Sequence, residues 1–205
     1  MNILIGKKLG MTQIFEESGD VTPVSVIQAG PCPIVQVKTV EKDGYSAIQI
    51  GFGGVKEKRV SGGRLGHFKK AGVAPCRVLQ EVRVDDPGEY KVGDALDVSL
   101  FEGAERVHVA GNTKGRGFAG TVKRHNFDRG PETHGSKNIR EPGSVGMCAT
   151  PSRIFKGKRL PGRMGGGRTT TKNLKVVQVD TENNLLYVKG AVPGANNSFV
   201  FVRRA

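Results

Sequence analysis

Thr22–Phe52 reads TPVSVIQAGPCPIVQVKTVEKDGYSAIQIGF. Three short runs rich in Val and Ile, Thr22–Gln28, Ile34–Val40 and Tyr45–Phe52, are cut apart by Gly30-Pro-Cys-Pro33 and Lys42-Asp-Gly44. Val24-Ser-Val26 and Ile34-Val-Gln-Val-Lys-Thr-Val40 alternate with a period near two, and Gly/Pro/Asp clusters bound them. That is the pattern of short β-strands joined by tight turns. The rhythm extends upstream to Lys8–Phe15, which ends at the turn signal Ser18-Gly-Asp20. It returns at Leu96–Phe101, Arg106–Ala110, Leu174–Val179, Leu185–Lys189 and Ser198–Val202. A spacing of about 8–12 residues predicts a closed barrel or a sandwich, and no β-α-β rhythm of a parallel sheet is present. Gly66–Gly72 reads as a short helix and Leu79–Val84 as the strand after it, so residues 61–90 form a small α+β insert.

The 205-residue chain is long enough for one sizeable core. Its net charge of +13 favours a polyanionic partner. No apolar run approaches the ~20 residues that span a bilayer, and Met1–Gly10 is too short and polar for a secretory leader, so a membrane partner is not expected. Cys32, Cys76 and Cys148 are odd in number, widely spaced and without a C-x-x-C pair, which predicts reduced thiols in a cytoplasmic protein.

The charge is concentrated. Residues 111–172 hold 14 Lys+Arg against Asp128, Glu132 and Glu141, a net +11. Subtracting these from the totals of 32 and 19 leaves 18 basic and 16 acidic residues elsewhere, only +2. The same segment has 13 apolar residues and 13 glycines, too little to build a core of its own. It reads as a basic arm that orders against a polyanion, inserted between 1–60 plus 91–110 and 173–205 of the β part.

Within the arm, Gly115, Gly117 and Gly120 satisfy G-x-G-x-x-G, but the dinucleotide fingerprint also needs a long helix and a following parallel strand. Thr121–Asp128 offers a turn of helix at most and then a Pro/Gly-rich loop, so a nucleotide-dependent enzyme is disfavoured. The glycines still allow close approach to phosphate, with Lys114, Arg116, Lys123 and Arg124 supplying charge beside them. His125, His134 and Cys148 fit no zinc spacing, and neither a metal nor another cofactor is expected. Both histidines read as stacking or hydrogen-bonding groups for RNA. In Arg153–Lys172, cations alternate with Gly, Pro and single apolar groups, as in an extended peptide threaded between RNA helices. Arg153, Lys156, Lys158, Arg159, Arg163, Arg168 and Lys172 are assigned to phosphates, and Phe155, with Ile154, Leu160 and Met164, to bases or sugars. Arg129, Lys137 and Arg140 complete the candidate RNA contacts. Between the two basic flanks, Gly143–Ser152 carries no charge; Gly143 and Gly146 permit close approach there, and Met147 and Cys148 add modest apolar contact.

Several of these residues carry a resemblance. Gly111-x-Thr113-x-Gly115-Arg-Gly117-x-x-Gly120-x-x-x-Arg124, within Phe101–Arg124, is similar to the signature of the universal large-subunit ribosomal protein L-three family. Gly6-Lys-Lys-Leu-Gly-Met-Thr-Gln-Ile-Phe15, Gly66-His-Phe68, Ala119-Gly-Thr-Val-Lys-Arg124, Thr133-His-Gly135, Pro142-Gly-Ser144, Phe155-Lys-Gly-Lys158 and Lys189-Gly-Ala-Val-Pro-Gly194 extend it over essentially the whole chain, with the bacterial form closer in length. The resemblance implies a mainly β fold: a closed six-stranded translation-factor-like β-barrel with the small insert and a long irregular extension. It implies a non-catalytic constituent of the large ribosomal subunit that binds its RNA early in assembly and lies beside large-subunit proteins fourteen and nineteen, with no small-molecule substrate. It further implies that the extension reaches toward the peptidyl transferase centre with Met147-Cys148-Ala149 at its tip. Ala149 stands where some bacterial relatives carry a methylated glutamine, and His108 where the signature usually has Asp or Asn. A barrel-based factor that binds RNA only transiently is the competing reading.

Overall fold

The computed structural model describes residues 3–16 and 18–205. In chain order the strands are β1 (Ile3–Phe15), β2 (Val21–Ala29), β3 (Cys32–Lys38), β4 (Ala47–Gly54), β5 (Cys76–Arg83), β6 (Ala95–Leu96), β7 (Arg106–Asn112), β8 (Phe118–Ala119), β9 (Gly162–Arg163), β10 (Arg168–Asp180), β11 (Leu185–Lys189) and β12 (Phe199–Arg204). The helices are α1 (Val40–Asp43), α2 (Gly62–Ala71) and α3 (Thr121–His125). Two compact units result, residues 1–113 with 168–205 and residues 114–167.

In the first unit six strands hydrogen-bond in a ring, in the order β1-β12-β7-β10-β11-β2, closing into a barrel. Each pairing is antiparallel, and closure leaves no free edge. Alternation along each strand fills the interior: Leu4 faces Val202, and Val202 faces Val109, so one inward row crosses three strands with no exposure. Gly6 sits where β1 passes tightly over β2; a Cβ there would come within 2.7 Å of the Gln28 carbonyl oxygen and 2.8 Å of Ile27 Cγ2. Lys8 is 7 % exposed, and its Nζ donates to the carbonyls of Val192 (3.0 Å) and Gly194 (3.3 Å), which satisfies a buried cation with backbone dipoles.

The strands at 32–38 and 47–54 are not in the ring, although the sequence reading places all of 1–60 there. They form a second sheet, ordered β5-β4-β3-β6. Its two faces are both covered. Ile34, Ile48 and Ile50 join the main core, whereas Val35 points the other way onto Phe68 of α2 and Cys76. The expected helix begins earlier than Gly66 and the strand after it belongs to this sheet, so the insert shares a sheet with its neighbours and has no separate layer of its own. Gly62, Gly63 and Gly66 each weaken α2 by ~1 kcal/mol relative to Ala. Burial of Phe68, worth ~1.5–3 kcal/mol, and the left-handed cap at Gly72 hold it in place.

Leu96–Phe101 differs from the expected strand. After the two-residue β6, Val98–Phe101 is a 3-10 turn that buries Val98 and Phe101. Three-residue spacing puts those two side chains on one face of a 3-10 turn and on opposite faces of a strand. The extension also begins and ends differently, because β7 runs to Asn112 and β10 starts at Arg168; Arg168 and Lys172 are therefore residues of the ring.

Candidate nucleic-acid interface

The second unit, 114–167, is mostly irregular. A two-strand ribbon opens it: β8 pairs with β9 through Phe118↔Arg163 and Ala119↔Gly162. The Arg116 N–H donates to the Met164 carbonyl and the Met164 N–H to the Gly117 carbonyl, 2.9 Å each. The amide of Arg116 is therefore spent inside the protein. Gly117 has φ +68, a left-handed conformation that suits glycine, and Gly120 caps the five-residue α3. No long helix follows the three glycines, and every strand pairing among the described residues is antiparallel, unlike a dinucleotide-binding unit.

Arg124 and His125 form a clasp. Arg124 Nη1 donates to the Leu160 carbonyl at 2.7 Å, and His125 Nε2 lies 3.1 Å from the same oxygen. Gly162 makes room for it, since a Cβ at that position would stand 2.6 Å from Arg124 Nη1. Residues 126–159 thus leave and return through one pinned point. Both clasp residues read in the sequence as RNA contacts; Arg124 Nη1 and His125 Nε2 meet the Leu160 carbonyl. Arg129 is likewise engaged, with Nη1 2.6 Å from Glu132. Neither Asp128 nor Glu141 pairs with a cation among the described residues.

Of the unit's 12 Lys+Arg, subtracting Arg124 and Arg129 leaves 10 whose side chains make no hydrogen bond or ion pair among the described residues. They are Lys114, Arg116, Lys123, Lys137, Arg140, Arg153, Lys156, Lys158, Arg159 and Arg163, all exposed. His134, exposed, adopts φ +57. Four large apolar side chains are exposed as well: Phe118 is 80 % exposed, Met147 71 %, Phe155 53 % and Ile154 50 %. Every residue from 141 to 150 is exposed, including Gly143 (φ +75), Gly146, Met147, Cys148 and Ala149. A segment in which most cations lack counter-charges and two of three Phe rings are exposed has its binding capacity turned outward.

On the ring, Arg168 and Lys172 project with Thr170 from one face of β10, beside His108 of β7 and Arg203 and Phe201 of β12, around a hollow of about 490 Å³. The Arg168 guanidinium lies 5.0 Å from the centre of the Phe201 ring. His108 Nδ1 accepts the Asn173 N–H (3.0 Å) at the irregularity between Thr171 and Leu174, so it holds a bulge in the strand. Sequence reasoning missed the Lys38–Tyr45–Glu81 cluster, in which Lys38 Nζ reaches Glu81 at 2.8 Å and the Tyr45 hydroxyl at 2.7 Å. These bonds hold the Glu81 carboxyl below the usual carboxylate range and raise Lys38. Burial pushes the Cys32 thiol up to about 12 and raises Cys76, whereas Cys148 is exposed; all three cysteines are free. Among the described residues no three metal-ligating side chains cluster, and no helix is long and apolar enough to cross a membrane.

An antiparallel ring of six strands and a cationic segment whose exposed charges lack partners among the described residues are the features that the comparisons must match. The family model described as Ribosomal protein L3 matches residues 92–184. Over 200 residues the chain is 55 % identical to the large ribosomal subunit protein uL3 of Heliobacterium modesticaldum, covering 98 % of this chain and 95 % of that one. It is 56 % identical over 202 residues to that of Pelotomaculum thermopropionicum (98 % and 96 %) and 54 % identical over 205 to that of Thermotoga petrophila (100 % and 98 %). The chain belongs to the ribosomal protein L3 family, and is a structural constituent of the cytoplasmic large ribosomal subunit, not an enzyme.

Proposed function

We propose that this protein binds large-subunit ribosomal RNA directly through residues 111–172 and helps nucleate assembly of the subunit. The observation that supports this most is the set of ten exposed cations in 114–167 with no side-chain hydrogen bond or ion pair among the described residues, interleaved with exposed Phe118, Ile154 and Phe155. Lys and Arg neutralise phosphates, the exposed rings and aliphatic groups meet bases and sugars, and the glycines let the backbone lie close. The clasp at Leu160 fixes where the arm leaves and returns, so RNA orders residues 126–159 from a defined base.

In this reading the ring, of the kind found in translation factors, sits near the subunit surface beside large-subunit proteins fourteen and nineteen. The extension carries Met147, Cys148 and Ala149 toward the peptidyl transferase centre and performs no chemistry there. A neutral tip suits that place: long cations cost desolvation and space where RNA crowds the chain, whereas Gly143, Gly146 and Ala149 add little bulk. Sedimentation of cell extracts through sucrose gradients containing high salt tests integral membership. The protein is expected to remain with the large subunit after the wash; its release to the top of the gradient would favour a transient RNA-binding factor.

A further inference from the structure

The ring is closed, but β1 outruns it. β12 pairs with β1 only from Ile3 to Lys7, and Ser198 and Asn197 extend that contact to Lys8. From Gly10 to Phe15 the partner is β2 alone. Among the described residues no strand lies along the other side of 9–15, so that edge presents unpaired backbone N–H and C=O groups. Sheet edges are ordinarily blunted by charge, proline or an irregularity. Residues 9–15 contain neither a charge nor a proline, and the bulge between Lys8 and Gly10 lies at their root.

The face beside that edge is apolar. Pairing sets Phe15 opposite Val21 and Gln13 opposite Pro23, and alternation adds Met11 to the same side. All five are exposed, Phe15 at 68 %. Apolar groups gathered on one open face mark a surface that another molecule covers. The local charge also runs against the rest of the chain. Residues 9–37 contain no Lys or Arg in 29 positions, and their only charges are Glu16, Glu17 and Asp20 at the turn from β1 to β2, a net −3 in a chain of +13. Glu16 accepts the Thr22 hydroxyl at 2.5 Å and Asp20 that of Ser18 at 3.2 Å. Both carboxylates are exposed, and neither meets a cation among the described residues.

We propose that this hairpin receives an extended segment of a basic protein. The segment adds a strand along 9–15, sets apolar side chains beside Met11 and Phe15, and meets Glu16 and Asp20 with Lys or Arg. An open edge supplies main-chain hydrogen bonds that only another polypeptide in extended form satisfies in register. A phosphate backbone is repelled by the acids and finds no cation in residues 9–37. A second copy pairing through the same 9–15 edge brings no cation within that edge to answer them. The site goes beyond the RNA contacts of 114–167 and draws on none of their residues.

The test places a photoreactive benzophenone amino acid at position 13, in place of Gln13, in full-length protein assembled into large subunits in cells. Purified subunits are irradiated and the adduct is identified by peptide-level mass spectrometry. The expected adduct joins position 13 to a Lys- or Arg-rich peptide of another subunit protein, with apolar residues at alternate positions. Phe15→Asp/Val21→Asp should lower its yield by about tenfold or more. Glu16→Gln/Asp20→Asn, which keeps the apolar face, should lower it by roughly threefold. An adduct to ribosomal RNA, to a second copy of this chain or to an acidic segment overturns the proposal, as does no adduct or a parent-like yield in both variants. If Phe15→Asp/Val21→Asp melts early, the charge reversal Glu16→Lys/Asp20→Lys decides, and an undiminished yield there overturns the idea. The salt slope of RNA binding should stay at the parent value in Phe15→Asp/Val21→Asp. A lost adduct with a steep parent slope therefore refutes the hairpin alone, and a flat parent slope with the adduct present refutes the RNA reading alone.

Discussion

Replacing Lys114, Arg116, Lys123 and Arg163 together by glutamine removes four exposed cations whose side chains make no hydrogen bond or ion pair among the described residues. The expected effect follows from the arm's own accounting. Ten of its 12 basic side chains, all but Arg124 and Arg129, make no hydrogen bond or ion pair among the described residues and are counted here against phosphate. Each phosphate neutralised contributes roughly 0.7 to 0.9 to the slope of log K against log salt, so ten give about −7 to −9 from the arm. The fourfold variant should lose roughly 3 to 4 of that slope and bind more weakly at every salt concentration. None of the four side chains holds the fold, so thermal melting should hardly move. Filter binding to large-subunit ribosomal RNA across a range of potassium chloride concentrations reads the slope, and calorimetry checks the melt. A parent slope near zero, or a variant slope equal to the parent's, would refute the phosphate role of these residues.

Four further outcomes follow from particular contacts. Arg124→Ala unlatches the arm at Leu160 and forfeits a charged hydrogen bond of about 1.5–3 kcal/mol, so limited proteolysis of the free protein should accelerate within 126–159; unchanged cleavage would mean the clasp holds nothing. Gly6→Val forces a side chain against the Gln28 carbonyl and Ile27, overpacking the ring by roughly 1–3 kcal/mol or more, seen as a lower denaturant midpoint; an unaltered midpoint would contradict the close approach. A thiol reagent should modify Cys148 quickly in the native free protein, and Cys32 and Cys76 only after denaturation, because burial raises both thiols. Glu81 has a folded-state pKa below its unfolded one, so its contribution to stability is complete above the unfolded carboxylate pKa of about 4.3 and is lost as pH falls through the folded value. Melting of Glu81→Gln should therefore depend less on pH below about 5 than the parent's; identical acid profiles would deny Glu81 that role.

What the sequence made legible was local. Alternation in Val24–Val26 and Ile34–Val40 marks strands, and the turn clusters mark their ends. Membership of a sheet was not legible, because pairing is long-range. The β2 segment finds one ring neighbour in Leu185–Lys189, and only the fold shows that β3 and β4 turn away into a second sheet. Ile34 and Val35 are both buried on opposite faces, so their run carries no sign of which face meets the ring. The arm was plain from its charge and poverty of apolar residues. Its clasp was not, since nothing in the spelling of Arg124-His125 or Leu160 distinguishes a carbonyl ligand from a phosphate ligand.

The most direct measurement is ultraviolet crosslinking of intact large subunits, with peptide-level mass spectrometry of this protein. Direct RNA contact by the extension predicts crosslinks to large-subunit ribosomal RNA within 114–167, concentrated at exposed Phe118, Phe155 and the peptides that flank Met147. Crosslinks confined to residues outside 114–167 would contradict it.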